Sequence, residues 1–273
     1  MDRIAIISDI HGNLEALKAT LKDIKNKNID RIFCLGDIIS KGSHPNECTE
    51  LVKENCEVVV RGNCDEYYTS DINLTNKSEE VKWNQSIINS ETRDYLRSLP
   101  YSYEFYMSGR LVRLIHAHPE KINKSVGNID TVERLYELVL PSSNTVSDKK
   151  ADILIYGHIH TPFIQKMYNR FIMNPGSVGD AFDIIRNDEK DADNRNTTVA
   201  NYLIISGNFN SRNYDEISYE IVSVPYDIDK ELESSHDNIE FEILKNELKT
   251  GTYRNMDKVY EGFAIRGIDK DKI

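Results

Sequence analysis

The chain has 273 residues, of which 39% are hydrophobic and 29% charged, and its formal net charge is −11. This composition is that of an ordinary globular protein, and no apolar run is long enough to span a bilayer. Because no run can span a bilayer, we expect no membrane association. The negative net charge repels the phosphates of a nucleic acid, so we expect no stable nucleic-acid binding.

The chain enters an apolar run at once and lacks the zones of a signal peptide, which predicts a cytoplasmic protein. Its four cysteines form no C-x-x-C pair. A chain of this length does not need disulfides to stabilise a small core, so we expect reduced thiols.

The first predicted strand ends in a polar turn. The apolar run at 4–7 leads into Asp9 and His11, and the following leucines fall at helical spacing. The turn therefore places a carboxylate and an imidazole at the carboxyl end of a buried strand, where open α/β sheets place their sites. This pattern predicts a metal site, and we expect the amino end of the helix near Asn13 to face an anion.

Two further strand and helix units follow the first. The apolar run at 31–35 leads into Gly36 and Asp37, and the run at 57–60 leads into Gly62-Asn63-Cys64-Asp65. Strands that alternate with helices predict a parallel sheet with right-handed crossovers. Three polar loops should therefore lie along one edge of that sheet.

The middle of the chain predicts a mixture of elements. Residues 78–99 form a loosely helical pattern, and two alternating runs at 101–105 and 111–115 predict a β-hairpin. The second strand of that hairpin ends at His116 and His118. A further helix is predicted at 131–140.

The last third returns to strand patterns. The run at 152–156 leads into Gly157-His158-Ile159-His160, and further strands are predicted at 163–167, 171–173, 202–205 and 217–224. The polar stretch 187–198 predicts a mobile loop. The acidic tail after 227 contains one weak helical pattern at 239–248.

Each polar loop has a simple structural explanation when it is taken alone. Asp9 could cap a helix, Asp37 and Asn63 could be turn residues, and His116 could be a hydrogen-bonded core histidine. Together the loops are more informative, because every one follows a predicted strand and supplies an oxygen or an imidazole nitrogen.

The combined set contains two carboxylates, one amide and four imidazoles: Asp9, His11, Asp37, Asn63, His116, His158 and His160. Mixed nitrogen and oxygen donors favour Mn, Fe, Zn or Ni over Mg or Ca. Seven protein ligands exceed one tetrahedral site. We therefore expect two divalent metal ions that share a bridging carboxylate, with Mn as the first choice.

The series D-x-H, G-D, G-N-x-D, H and G-H-x-H resembles the calcineurin-like metallophosphoesterases in motif and order, across residues 4–224. It is most similar to the small bacterial and archaeal phosphodiesterase and phosphatase branch. The resemblance implies an α/β fold, a four-layer α/β/β/α sandwich with two mixed β-sheets. It places a metallophosphoesterase domain at 1–225, and we expect the acidic C-terminal extension, 226–273, to pack on the same domain.

The resemblance also implies a role for each ligand. One metal would be held by Asp9, His11 and His160, the other by Asn63, His116 and His158, with Asp37 as the bridge. Asp65 would orient a neighbouring group by hydrogen bonding. The implied reaction is phosphoester hydrolysis by direct attack of a metal-bridging hydroxide.

One position departs from the family pattern. Cys64 stands where many relatives place a histidine that protonates the leaving group, and a thiol is a weaker donor. His118 could supply the missing acid, or it could be a solvent-facing loop histidine. Lys41 and His44 occupy the loop where relatives often carry a phosphate-binding arginine, and their role stays open.

These features favour a phosphodiesterase-type enzyme that acts on a small phosphoester or nucleotide. A Ser/Thr protein phosphatase is one alternative, although Cys64 disfavours it because the side-chain oxygen of serine is a poor leaving group that needs protonation. A catalytically weak interaction module similar to the retromer subunit of this fold is another, although the complete ligand set disfavours it. The sequence indicates no particular protein partner.

Overall fold

Two five-stranded β-sheets form the centre of the computed structural model, which describes residues 1–182 and 195–265. The strands are β1 (Asp2–Ile7), β2 (Arg31–Cys34), β3 (Val58–Val59), β4 (Ser102–Met107), β5 (Arg110–Ile115), β6 (Ile153–Tyr156), β7 (Phe163–Met167), β8 (Arg170–Asn174), β9 (Ala200–Gly207) and β10 (Ser218–Val224). The helices are α1 (Leu14–Asn26), α2 (Pro45–Asn55), α3 (Asn63–Thr69), α4 (Glu79–Ile87), α5 (Ser90–Ser98), α6 (Val132–Glu137), α7 (Ile228–Glu233), α8 (Phe241–Thr250) and α9 (Met256–Ile265).

Both sheets are mixed. The first has the order β10-β9-β1-β2-β3, in which β1, β2 and β3 are parallel as predicted, and β9 is antiparallel to both of its neighbours, β1 and β10. The second has the order β4-β5-β6-β8-β7 and contains the predicted hairpin β4-β5. The predicted sandwich with two mixed sheets flanked by helices is confirmed.

The core lies in layers on either side of each sheet. Ile4 and Ile6 of β1 face the second sheet, whereas Ala5 and Ile7 face the layer of α1, and all four side chains are fully buried. This alternation follows from the two-residue period of a strand. A strand with both faces buried reads as the continuous apolar run that the sequence shows.

Several helices differ from the predicted ones. The helical stretch 78–99 divides into α4 and α5, because the Asn89 side chain accepts from Thr92 N–H and starts a new helix. The helix predicted at 131–140 is shorter, and α3 was not predicted. Residues 187–194 of the predicted mobile loop lie outside the described residues.

As far as residue 265, the tail contains three helices where the sequence predicted one. It contacts the first turn of α1 and the loop after β2: Glu231 Oε2 accepts from Glu15 N–H at 3.0 Å, and Asn238 Nδ2 donates to Lys41 O at 2.6 Å. Gly251 ends α8 in the left-handed conformation, with φ of 66°, which glycine adopts without strain. This segment therefore lies against the edge of the sheet where the polar loops emerge.

Across the two described ranges, every helix is too short or too polar to cross a membrane.

Candidate metal centre

The loops after β1, β2 and β3 are held together by backbone contacts. Asp9 N–H donates to Gly36 O at 3.0 Å, and His11 N–H donates to Asp37 O at 3.0 Å. The third loop approaches closely because Gly62 has no side chain: a Cβ there would lie 2.1 Å from Asp37 N. These contacts bring the side chains of all three loops to one point.

The first group of donors contains Asp9, His11 and His160. His160 Nε2 lies 3.4 Å from Asp9 Oδ1 and 3.1 Å from His11 Nε2, and His11 Nε2 lies 3.9 Å from the same carboxylate oxygen. All three side chains are buried. Their donor atoms are close enough together to coordinate one ion.

The second group is centred on His116. Its Nε2 lies 3.4 Å from Asp37 Oδ2 and 3.0 Å from Asn63 Oδ1, and its ring centroid is 5.3 Å from that of His158. Asp37 Oδ2 also lies 3.8 Å from His11 Nε2 in the first group. Asp37 is therefore placed between the two groups.

The rings of these histidines are oriented by hydrogen bonds on their outer sides. Nδ1 contacts the backbone carbonyl of Ile39 for His11, of Leu35 for His116 and of Asp180 for His160. A carbonyl only accepts, so each Nδ1 carries a proton, and in the neutral imidazole each Nε2 then presents a lone pair inward. His158 is held differently, because its Nε2 contacts Ser125 Oγ at 2.9 Å.

The inward lone pairs indicate that a cation fits this site. With both Nδ1 atoms protonated, Nε2 of His11 and Nε2 of His160 face each other at 3.1 Å and repel unless a cation or proton lies between them. This donor set suits borderline divalent metals. The residues present therefore fit the metal that the resemblance implies.

The pKa values of the candidate ligands depend on burial and on the pairing of imidazoles with carboxylates. Burial disfavours charge on His116 and His160, but Asp37 and Asp9, respectively, outweigh it and raise both pKa values to about 9. Burial lowers the pKa of His11 to about 3. Burial opposes ionisation of Asp9, but His160 lowers its pKa to about 2.

The backbone is strained at the candidate ligands. Five of them have φ between 50° and 70°, a region that non-glycine residues rarely adopt: Asp9, His11, Asp37, His158 and His160. Each costs on the order of 1 kcal/mol, and such residues concentrate at functional sites. Hydrogen bonds from the surrounding loops keep these residues in a conformation that they do not favour locally.

Asp65 fixes the loop that carries Asp37. Its carboxylate accepts at 2.9 Å from each of Asp37 N–H, Ile38 N–H and Gly62 N–H. Burial and the neighbouring Asp37 raise the pKa of Asp65 to about 6 although these hydrogen bonds oppose the shift. Asp65 thus orients its neighbours and does not itself face the donor groups.

Cys64 lies at the edge of the donor groups. Its Sγ accepts from Asn63 Nδ2 at 3.4 Å, its N–H donates to Asp37 Oδ1 at 2.8 Å, and it groups with His11 and Asp37 as a potential ligand. Burial, reinforced by Asp37, raises the pKa of the thiol well above its usual range. Without a metal, Cys64 is therefore a protonated thiol and a weak acid.

His118 is not a solvent-facing loop residue, because its side chain is 2% exposed. Nδ1 accepts from Glu120 N–H at 3.1 Å, and Nε2 lies 3.1 Å from Lys124 Nζ and 3.6 Å from Glu137 Oε2. None of these partners is a candidate ligand. His118 therefore belongs to a separate network, and its contacts do not support the predicted acid role.

Lys41 and His44 have different surroundings. His44 Nε2 contacts Ser234 Oγ at 2.9 Å and is covered by the C-terminal segment. Lys41 forms an ion pair with Asp180 and lines the cavity beside the donor groups. Of the two, Lys41 is the residue next to the site.

The expectation for the amino end of α1 was wrong. The Asn13 side chain accepts from Ala16 N–H at 3.0 Å, and Glu231 accepts from Glu15 N–H. Carboxylate and amide oxygens of the chain itself therefore occupy the place where an external anion was expected.

Sequence reasoning missed Asp180. Its carbonyl holds His160 Nδ1, its carboxylate pairs with Lys41, and its own N–H donates to Ser177 Oγ. The N-P-G-S turn just before Asp180 could have indicated its role, since that turn places the Asp180 carbonyl against His160. Burial opposes charge on Asp180, but Lys41 lowers its pKa well below the usual range.

Comparison with known proteins agrees with this geometry. Residues 3–190 match the calcineurin-like phosphoesterase superfamily domain. An uncharacterised protein of Methanocaldococcus jannaschii is 34% identical over 267 residues, which cover 90% of this chain and 93% of that protein. The phosphodiesterase YfcE of Escherichia coli is 26% identical over 191 residues, which cover 65% of this chain and 80% of YfcE.

Two solved structures have the same fold as this chain. A metallophosphoesterase from Sphaerobacter thermophilus superposes with a TM-score of 0.69 at 24% identity, covering 92% of this chain and 99% of its own. A hypothetical protein from Pyrococcus horikoshii superposes with a TM-score of 0.70 at 17% identity, covering 93% of this chain and 100% of its own.

Proposed function

Because this chain belongs to the calcineurin-like phosphoesterase superfamily, we propose that it is a phosphodiesterase that uses two divalent metal ions, with Mn as the preferred metal. One observation carries the proposal: two groups of buried or half-buried nitrogen and oxygen donors share the single carboxylate of Asp37. Its substrate is a small phosphoester. The candidate ligands are the seven residues of the two groups.

When bound, the two ions would supply a nucleophilic hydroxide at neutral pH and neutralise charge on the phosphoryl group. The chain's own residues hold this arrangement. Asp65 fixes the loop of Asp37 through its backbone hydrogen bonds, and Cys64 N–H fixes Asp37 Oδ1. The carbonyls behind Nδ1 of three histidines fix the direction of their Nε2 atoms.

The site offers only a weak acid to protonate the leaving group of the ester. Cys64 occupies the position of the family's histidine, and its thiol is a weak donor whose pKa is raised by burial and Asp37. Esters with acidic leaving groups, such as aryl phosphodiesters, are therefore better substrates than alkyl phosphodiesters. This same feature disfavours phosphoserine.

Removal of metal is expected to abolish hydrolysis of bis-p-nitrophenyl phosphate, and Mn²⁺ is expected to restore it. Metal analysis of the reloaded protein should give about two ions per chain. Mg²⁺ and Ca²⁺ should restore less activity, because four of the seven donors are imidazoles.

Three outcomes would contradict the proposal. Full activity after chelation would exclude a metal-dependent reaction. No metal-dependent turnover of any ester would favour a non-catalytic interaction module. Faster turnover of phosphopeptides than of diesters would favour a protein phosphatase.

The Cys64→His variant is expected to hydrolyse alkyl phosphodiesters about 100-fold faster than the wild type, at the lower end of what a general acid contributes. Hydrolysis of p-nitrophenyl esters should change little, because p-nitrophenolate leaves without protonation. Steady-state rates on a matched alkyl and aryl pair measure the difference. Cys56→Ser serves as the control, since Cys56 lies at the end of α2 away from the donor groups. An unchanged alkyl rate would refute the role assigned to Cys64.

A further inference from the structure

A cavity of about 730 Å³ opens beside His158 and His160. This volume is within the range of small-molecule sites and far exceeds what a phosphate group occupies. A phosphoester bound at the candidate metal centre would therefore extend its organic group into this cavity. The cavity should determine which ester is bound.

Part of the cavity wall comes from the C-terminal segment. Tyr253, Asn255 and Val259 line it and lie outside residues 3–190, which match the family model. This part of the wall therefore lies beyond the matched domain. The side chains of this segment are not part of the predicted metal-binding motifs.

Aromatic rings run from the metal centre along this wall. The His160 and Phe182 ring centroids are 4.8 Å apart, and the Phe182 and Tyr253 rings stack at 4.5 Å with an angle of 21°. Lys41 Nζ lies 5.0 Å from the Tyr253 ring centroid. Packed rings of this kind form a rigid surface for a planar ligand.

Two amide side chains also line the cavity. Within residues 1–182 and 195–265, the side chains of Asn128 and Asn255 make no hydrogen bond. An aliphatic ligand would desolvate these groups without replacing their hydrogen bonds, which costs free energy. A heterocycle with donors and acceptors on its edge would satisfy them.

The rim carries positive charge in a chain whose net charge is −11. Lys258 is exposed at the cavity, with no ion-pair partner among the described residues. This favours an anionic ligand over a neutral one. The cavity thus combines a rigid aromatic wall, free amides and a cation beside a candidate phosphate site.

We infer that this cavity binds the nucleoside of a nucleotide phosphodiester, with the heterocyclic base along the wall formed by Phe182, Tyr253 and Val259. The inference rests on the proposed function, because it assumes that the phosphate lies at the candidate metal centre. It names the substrate class as nucleotide esters rather than simple alkyl esters.

Two substrates with the same leaving group test the inference: the p-nitrophenyl ester of thymidine 5′-monophosphate and methyl p-nitrophenyl phosphate. The chemistry is the same for both, so any difference in kcat/KM reports recognition of the nucleoside. We expect the nucleoside ester to be favoured at least about tenfold, mainly through KM, on the scale of base stacking on aromatic residues.

Variants of the cavity should reduce this preference. Val259→Trp fills the cavity, and Asn128→Ala removes one amide from an exposed loop without loss of packing. Both should bring the ratio of the two kcat/KM values toward one. Glu261→Ala, on the same helix as Val259 but outside the cavity lining, should leave the ratio unchanged. Equal kcat/KM values in the wild type, or a ratio that neither variant changes, would overturn the inference.

Failure of the proposed function gives a different result. If the metal-loaded protein hydrolyses neither ester, the proposed activity is wrong, and calorimetric titration then tests the cavity directly. Binding of thymidine 5′-monophosphate at least about tenfold tighter than inorganic phosphate would support a nucleoside site. Equal affinities would overturn it.

Discussion

Replacing Asp37 with Asn is expected to lower kcat for diester hydrolysis by about 10³-fold, the scale on which charge-stabilising groups act in active sites. Asp37 Oδ2 lies 3.8 Å from His11 Nε2 and 3.4 Å from His116 Nε2, so it serves both donor groups. Asn keeps the shape and one acceptor oxygen for Cys64 N–H. The variant therefore removes the bridging charge and leaves the loop in place.

Metal content provides the second measurement. We expect fewer than two ions per chain in Asp37→Asn after reloading, while circular dichroism remains that of the wild type. Asp71→Asn is the matched control, because the Asp71 side chain is 94% exposed and remote from the donor groups. A variant with two ions and wild-type kcat would refute the bridging role of Asp37.

Replacing Arg113 with Leu is expected to lower the free energy of unfolding by about 3–5 kcal/mol, the cost of breaking a buried ion pair by removing one partner. Arg113 is fully buried on β5, and its Nε donates to Glu104 Oε1 at 2.6 Å. Its guanidinium also donates to the carbonyls of Leu140 and Lys149. The substitution leaves Glu104 buried without its partner and frees the loop after α6.

Urea denaturation of the metal-free proteins measures this effect without a contribution from bound ions. The double variant Arg113→Leu with Glu104→Leu should recover part of the loss, because no unpaired charge then remains buried. Lys82→Leu is the control, since its partner Glu79 is exposed and such a pair contributes about 1 kcal/mol or less. A single variant as stable as the wild type would contradict the expectation.

The elements that the sequence predicted well are those with a strong local period. The apolar run of β1 and the leucines of α1 identify strand, turn and helix because each pattern depends on near neighbours. The strand-end position of Asp9, Asp37 and His116 follows from the same patterns. The approach of Asp9 and Asp37 was expected because parallel strands end at one edge of a sheet. His116 follows β5 of the second sheet, so its approach depends on how the two sheets pack together.

Features that depend on distant contacts were not predictable in this way. The surroundings of His118 come from Lys124 and Glu137, which no pattern connects to it. The role of Asp180 depends on Lys41, far away in the chain. The positive φ values of the candidate ligands are likewise imposed by hydrogen bonds from other loops and oppose the local preference of those residues.

The separation of His11 and His160 has a consequence for biosynthesis. Their Nε2 atoms lie 3.1 Å apart although the residues are 149 positions apart in the chain. A nascent chain therefore cannot complete the first donor group until His160 has left the ribosome and its loop has packed against the loop of Asp9 and His11. A metal ion held by this group would then be captured only after long-range contacts between the two sheets have formed.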